Sequence, residues 1–283
     1  MQRICILLVW LPYFTRASEH RIHEGSVAEI GKFPYQVFIQ RITDRGTVVV
    51  FCGGSIISKR YVLTAAHCLN KFRKNKLRVV VGTNSLVNHN ESAVYESEST
   101  IIHERYNPNK PAMLNDIALI RVNKDIEFNE FVQPVKLAKA GHVTKAGARL
   151  SISGWGRTRD KGPRLKDLLM ANIKVVDSSH CPKFGKHKSL MCYTGVKIPT
   201  ASSCRGDSGG PAVNKNGVQV GIIKSSLKCG ALEIPSVLTR VSYFANWIKE
   251  KTQDEGSASL TKWEKMVFKI WLIKKLLNDG IDS

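Results

Sequence analysis

Gly206-Asp207-Ser208-Gly209-Gly210-Pro211 is the stretch on which the reading of this chain turns. A serine set among glycines sits on backbone free to turn tightly, because glycine adopts positive φ at no steric cost. Such a turn exposes the hydroxyl and aims neighbouring amide N–H groups at one point. Acyl transfer needs both: a nucleophile, and donors facing the oxyanion that develops. By itself the hexapeptide is only moderately distinguished from a glycine-rich turn without chemistry.

Two upstream segments supply the partners. Leu63-Thr64-Ala65-Ala66-His67-Cys68 crowds small residues around a histidine beside a cysteine that can be stapled. Asn115-Asp116-Ile117-Ala118-Leu119-Ile120 puts an acid at the head of an apolar strand, where burial would let it orient a histidine. Each is weak alone, since a lone histidine is more often a core or surface residue and acids at strand starts are common. Together, widely spaced and in the order His, Asp, Ser, they provide base, orienting acid and nucleophile.

Cys52-Gly53-Gly54-Ser55, Val132-Gln133-Pro134-Val135 and Gly154-Trp155-Gly156 complete the pattern, and with them the chain resembles the trypsin and chymotrypsin family of serine proteases from about Ile22 to Gln253. The resemblance implies an all-β fold of two packed six-stranded antiparallel barrels closed by a C-terminal helix, with the active site in the cleft between them. It implies His67 and Asp116 from the first half and Ser208 from the second as the catalytic triad, and the N–H groups of Gly206 and Ser208 as the oxyanion hole. It pairs Cys52 with Cys68, Cys181 with Cys192, and Cys204 with Cys229. It also implies a zymogen: a trypsin-like activating protease cuts after Arg21, and the new ammonium group of Ile22 pairs with Asp207. Here Ile22-His23-Glu24-Gly25 stands in place of the usual Ile-Val-Gly-Gly. Protein or peptide substrates and protease inhibitors follow as partners, and the chemistry calls for no cofactor and no metal.

The family places Ser202 at the base of the substrate pocket. Without an acid there a buried Lys or Arg of a substrate lacks its counter-charge, so an apolar P1 residue is expected. The usual Ser-Trp-Gly wall is replaced by Ile223-Lys224-Ser225-Ser226-Leu227, and a usual glycine by Ser236, which would narrow the pocket. Arg205 favours acidic residues near the scissile bond.

The rest of the chain agrees with an extracellular all-β protein. Short β-branched and aromatic runs (Tyr35 to Gln40, Thr47 to Phe51, Leu77 to Val81, Ile117 to Val122, Leu150 to Ser153, Val218 to Ile223) alternate with Gly, Pro, Asn and Ser, and no βαβ alternation appears. Ser242 to Lys251 carries Phe244, Trp247 and Ile248 at helical spacing. Residues 1–18 read as a signal peptide, with Arg3 ahead of the apolar run Ile4 to Leu11 and Thr15 and Ala17 at cleavage spacing. The run is too short to cross a bilayer comfortably. Residues 19–21 form a short pro-segment. Of seven cysteines, Cys5 leaves with the leader, and the remaining even number suits disulfides in an oxidising compartment. No CxxC or HExxH spacing marks a zinc site. Asn90-Glu91-Ser92 is a glycosylation sequon in a polar stretch.

The net charge of +20 raises nucleic-acid binding, but no nucleic-acid motif with interleaved aromatics is present, and a solvated basic surface is the reading adopted. Beyond the polar linker Asp254 to Ser259, a second helix is expected over about Thr261 to Leu277, with Thr261 and Glu264 as a capping box. This tail, 254–283, carries equal numbers of lysines and acids. It reads as an amphipathic helix docked on the protease body or a partner, with membrane contact through Trp263, Phe268 and Trp271 as the second choice. The rival reading of the whole chain is a secreted protease-like binding protein with little turnover, which the altered N-terminus and pocket wall keep in view.

Overall fold

The computed structural model describes residues 25–43, 45–72, 76–110, 112–157, 162–182, 186–196, 202–225 and 235–253. The leader 1–18, the pro-segment with Arg21, Ile22, Ser226, Leu227, Cys229 and the tail 254–283 lie outside the described residues.

In chain order the strands of the first half are β1 (Ser26–Val27), β2 (Gln36–Ile42), β3 (Val48–Ile56), β4 (Tyr61–Thr64), β5 (Leu77–Val80), β6 (Val94–Ile102) and β7 (Ala118–Val122). The second half supplies β8 (Lys136–Leu137), β9 (Arg149–Gly154), β10 (Leu169–Val176), β11 (Leu190–Gly195), β12 (Pro211–Asn214), β13 (Val218–Ser225) and β14 (Ser236–Arg240). Two short helices, α1 (Ala66–Leu69) and α2 (Ala245–Lys251), complete the described elements apart from single 3-10 turns.

Strands β2-β3-β4-β7-β6-β5 close into one antiparallel barrel. In the second sheet β10-β11-β14-β13-β12-β9 follow one another and β9 pairs back to β10, so this half closes as a second six-stranded antiparallel barrel. Strand β1, from the start of the first half, pairs with β10 of the second barrel, and β8 joins β13 in parallel. Closure leaves no long unpaired edge among the described strands. Each run picked out from β-branched and aromatic residues falls on a strand, and the expected helix near Ser242 forms as a 3-10 turn, Val241–Tyr243, followed by α2.

Side-chain alternation explains the second barrel. In β10, Leu169, Ala171, Ile173 and Val175 are buried while Asn172 and Lys174 face water, the period of two that a strand imposes. In β2 the alternation breaks: Gln36 to Gln40 are all buried, because this strand has the first core on one side and the second barrel on the other. Where two barrels press together, polar side chains must find partners. Ser55 donates to Gln219 at 2.7 Å, Ser153 donates to Gln36 at 2.6 Å, and Thr239 donates to the Asp116 carbonyl at 3.0 Å. These buried cross-barrel bonds fix the cleft in which the histidine and serine segments meet.

Candidate active site

The site is assembled from three connections. His67 lies on α1, directly after β4, and α1 is stapled to β3 by the Cys52–Cys68 disulfide, with Cα atoms 6.2 Å apart. Asp116 lies two residues before β7, the neighbour of β4 in the barrel. Ser208 lies on the turn leading into β12, and its carbonyl accepts the Gly53 N–H at 2.8 Å. That bond runs from the Cys-Gly-Gly-Ser strand of one barrel to the Ser208 turn of the other, so the two sequence motifs are physically one unit.

The turn needs its glycines. Gly206 and Gly209 have φ of +109° and +83°, backbone that an L side chain avoids. A Cβ on Gly209 would also strike Thr64 Oγ1 and the Gly53 carbonyl oxygen. The space is reserved for the Thr64 hydroxyl, which donates to that same carbonyl at 2.8 Å. Among the described residues neither the Gly206 nor the Ser208 N–H is used by a backbone acceptor, whereas the neighbouring N–H groups of Asp207, Gly209 and Gly210 bond to Cys204, Ile223 and Asp207. The pair expected to form an oxyanion hole is thus left open.

Asp116 is wholly buried. One of its oxygens accepts His67 Nδ1–H at 2.8 Å and the other the His67 backbone N–H at 2.9 Å. Two bonds from one residue fix both the ring and its tautomer, leaving Nε2 as the lone-pair nitrogen. The His67 side chain is a quarter exposed. The Ser208 hydroxyl donates to the Lys224 carbonyl at 3.2 Å. His67 also lies within ligand distance of Cys52 and Cys68, but those sulfurs are tied in the disulfide and offer no thiolate.

Asp207 is buried, at 2% exposure. Burial pushes its carboxyl up to about 6, against the Cys204 and Gly156 N–H groups, which it accepts at 2.8 and 2.7 Å, and the nearby Arg164 guanidinium. Gly156 is the second glycine of the Gly-Trp-Gly motif, and a Cβ there would collide with this carboxylate. That motif is therefore a seat for Asp207.

A trypsin model matches residues 22–248. The chain belongs to the trypsin family. This trypsin-family serine endopeptidase is 42% identical to chymotrypsin-2 of Vespa crabro over 80% of its own length and 97% of that protein. It is 34% identical to trypsin epsilon of Drosophila erecta, covering 83% and 88% of the two chains, and 34% identical to trypsin Blo t 3 of Blomia tropicalis, covering 83% and 87%.

Of the other residues singled out from sequence, Ser202 and Ser236 are buried at 6% and 7% exposure, Arg205 is exposed, and Asn90 is exposed at the start of a 3-10 turn. Ser225 ends β13. The disulfides Cys52–Cys68 and Cys181–Cys192 form, and Cys204 is disulfide-bonded as well. Two buried polar residues near the site were not singled out from the sequence. Tyr193 of β11 is buried with its hydroxyl 2.6 Å from that of Ser203, and burial lifts it to about 12. Lys224, read only as a changed wall residue, is 2% exposed.

Proposed function

We propose that the chain is a secreted zymogen that hydrolyses peptide bonds with His67, Asp116 and Ser208 as catalytic triad. The observation that carries this reading is the doubly bonded, wholly buried Asp116 behind a partly exposed His67, in register with a glycine turn that presents Ser208. The reaction begins when the Ser208 proton, resting on the Lys224 carbonyl, is redirected to His67 Nε2 and Oγ attacks the scissile carbonyl. The electron pair moves onto the carbonyl oxygen, which faces the open N–H groups of Gly206 and Ser208. Asp116 stabilises the imidazolium through its Nδ1–H. Collapse expels the amine, which takes the proton from Nε2. A water molecule, deprotonated by the same nitrogen, then releases the acyl group and regenerates Ser208.

Activation is by cleavage after Arg21. The Ile22 ammonium pairs with Asp207, whose buried carboxylate otherwise has only two N–H groups and Arg164 among the described residues to support its charge. The pocket takes an apolar P1 side chain: Ser202 offers a buried hydroxyl rather than a charge where the family has the pocket base, Ser236 adds volume to the wall, and the 42% identical relative carries the name chymotrypsin. Secretion is supported by the leader and by the disulfides, which persist in oxidising compartments.

Amidase activity on peptides varied at P1, before and after a cut at Arg21 and with Ser208→Ala as control, tests the reading. Hydrolysis that appears on cutting and vanishes in Ser208→Ala is expected. A folded, correctly cut protein without hydrolysis would replace it with the binding-protein reading.

A further inference from the structure

Lysine carries a side chain that normally reaches water, and a fully buried lysine needs a partner for its charge. Lys224 is among the largest side chains enclosed in this protein. Its position is set by a defect in the second barrel. The pairing of β13 with β14 runs Ile223 to Leu238 and then Ser225 to Val237, so Lys224 is the extra residue of a β-bulge. A bulge re-aims a side chain, and this one sends the lysine across the seam into the first barrel. There the ammonium donates to the Ala112 carbonyl.

Ala112 opens the turn that delivers Asp116. That turn is bent sharply: Met113 and Asn115 have φ of 37° and 59°, left-handed backbone that side-chain-bearing residues take at a cost. It is held by Asn115, which donates to the Arg105 carbonyl at 3.0 Å, by the Met113 N–H on the Lys110 carbonyl at 2.8 Å, and from the other barrel by Thr239 on the Asp116 carbonyl. Among the described residues, the Lys224 ammonium is a cation that bears on Asp116 from this side. The main chain of the same residue accepts the Ser208 hydroxyl. One residue therefore touches the nucleophile with its carbonyl and the turn of the orienting acid with its side chain.

We infer that Lys224 is a positioning residue for the triad, a buried cation that tethers the Asp116 turn to the strand whose main chain holds the Ser208 hydroxyl. This rests on the triad reading. Removing a positive charge beside the Asp116–His67 pair favours the imidazolium, so a neutral residue at 224 is the perturbation whose effect on the pair can be read. Among the described residues, the other titratable groups named beside the pair do not compete. Tyr106, raised to about 12 by burial and by the Asp116 charge, is neutral in the working range, and Cys52 and Cys68 are joined. Asp207, next to the nucleophile, is present in parent and variant alike. Desolvation lowers the lysine and Asp116 supports its charge.

The test follows the His67 ring signals by NMR against pH in protein cut at Arg21 and carrying Ser208→Ala, which needs no turnover. Lys224→Met keeps length and removes charge, and Lys224→Arg keeps charge. The His67 transition in Lys224→Met is expected at least about half a pH unit above the parent, with Lys224→Arg close to the parent. In active protein the acidic limb of kcat/KM moves the same way. If Lys224→Met does not fold, Lys224→Gln replaces it. An unmoved transition in a folded neutral variant, even with kcat/KM reduced, overturns the inference, whereas absence of activity in the cut parent would refute the enzyme reading alone.

Discussion

The sharpest prediction concerns Asp207 before activation. Its carboxyl is raised from 3.8 to about 6 by burial, so between those values the folded chain binds a proton that the unfolded chain releases. Stability rises with pH only where the unfolded state holds more protons. Here the folded state holds more, so this group lowers stability as pH climbs from about 4 through about 6, and the loss is complete above that. A shift of about two units corresponds to roughly 3 kcal/mol. Cleavage at Arg21 should remove most of this loss, because the Ile22 ammonium would support the ionised form. The experiment is urea unfolding of Ser208→Ala protein, uncut and cut, with and without Asp207→Asn, at pH from 4 to 8. The parent-minus-Asp207→Asn stability difference should fall with pH by about 3 kcal/mol in the uncut protein and by much less in the cut one. Substitution by Asn costs a hydrogen bond at every pH, which offsets the curve without tilting it. An uncut difference curve that is flat, or that tilts as steeply after cutting, would refute the argument.

Asp116→Asn preserves the shape of the site but cannot hold the productive His67 tautomer, and should lower kcat by about four orders of magnitude with little change in KM, read by steady-state kinetics on cut protein. Gly209→Ala places a methyl group on Thr64 and Gly53 at a positive φ, and should cost at least about 2 kcal/mol by urea unfolding as well as activity. Glu104 accepts Lys251 at 2.9 Å and Trp247 at 3.0 Å, which hold its carboxyl below the usual range against the cost of partial burial. It is more than half exposed, so Glu104→Gln should cost less than about 1 kcal/mol near pH 7, and that difference should disappear as pH falls through the carboxyl's lowered range.

Legibility differed between the parts of the molecule for physical reasons. The barrels could be read because strands announce themselves locally: β10 alternates inward apolar and outward polar residues one by one, and the turns between strands are written in Gly, Pro, Asn and Ser. The candidate triad residues stood out because their three segments carry residue types that chemistry explains together, and the glycines around Ser208 are required by backbone angles and by Thr64. What could not be read was set by contacts between distant segments. Gln36 to Gln40 look half-polar in sequence, yet both glutamines are buried, because the second barrel closes over β2 and supplies Ser153 as a partner for Gln36. Lys224 reads as one more solvated cation in a basic chain, and only the bulge opposite Val237 and Leu238 turns it inward. A bulge is a mismatch between two strands and belongs to neither sequence alone. Basic excess and a buried cation are thus indistinguishable by counting charges. What separates them is whether the side chain leaves the barrel surface or crosses the seam. At Lys224 it crosses, and the residue it meets there opens the turn that carries Asp116.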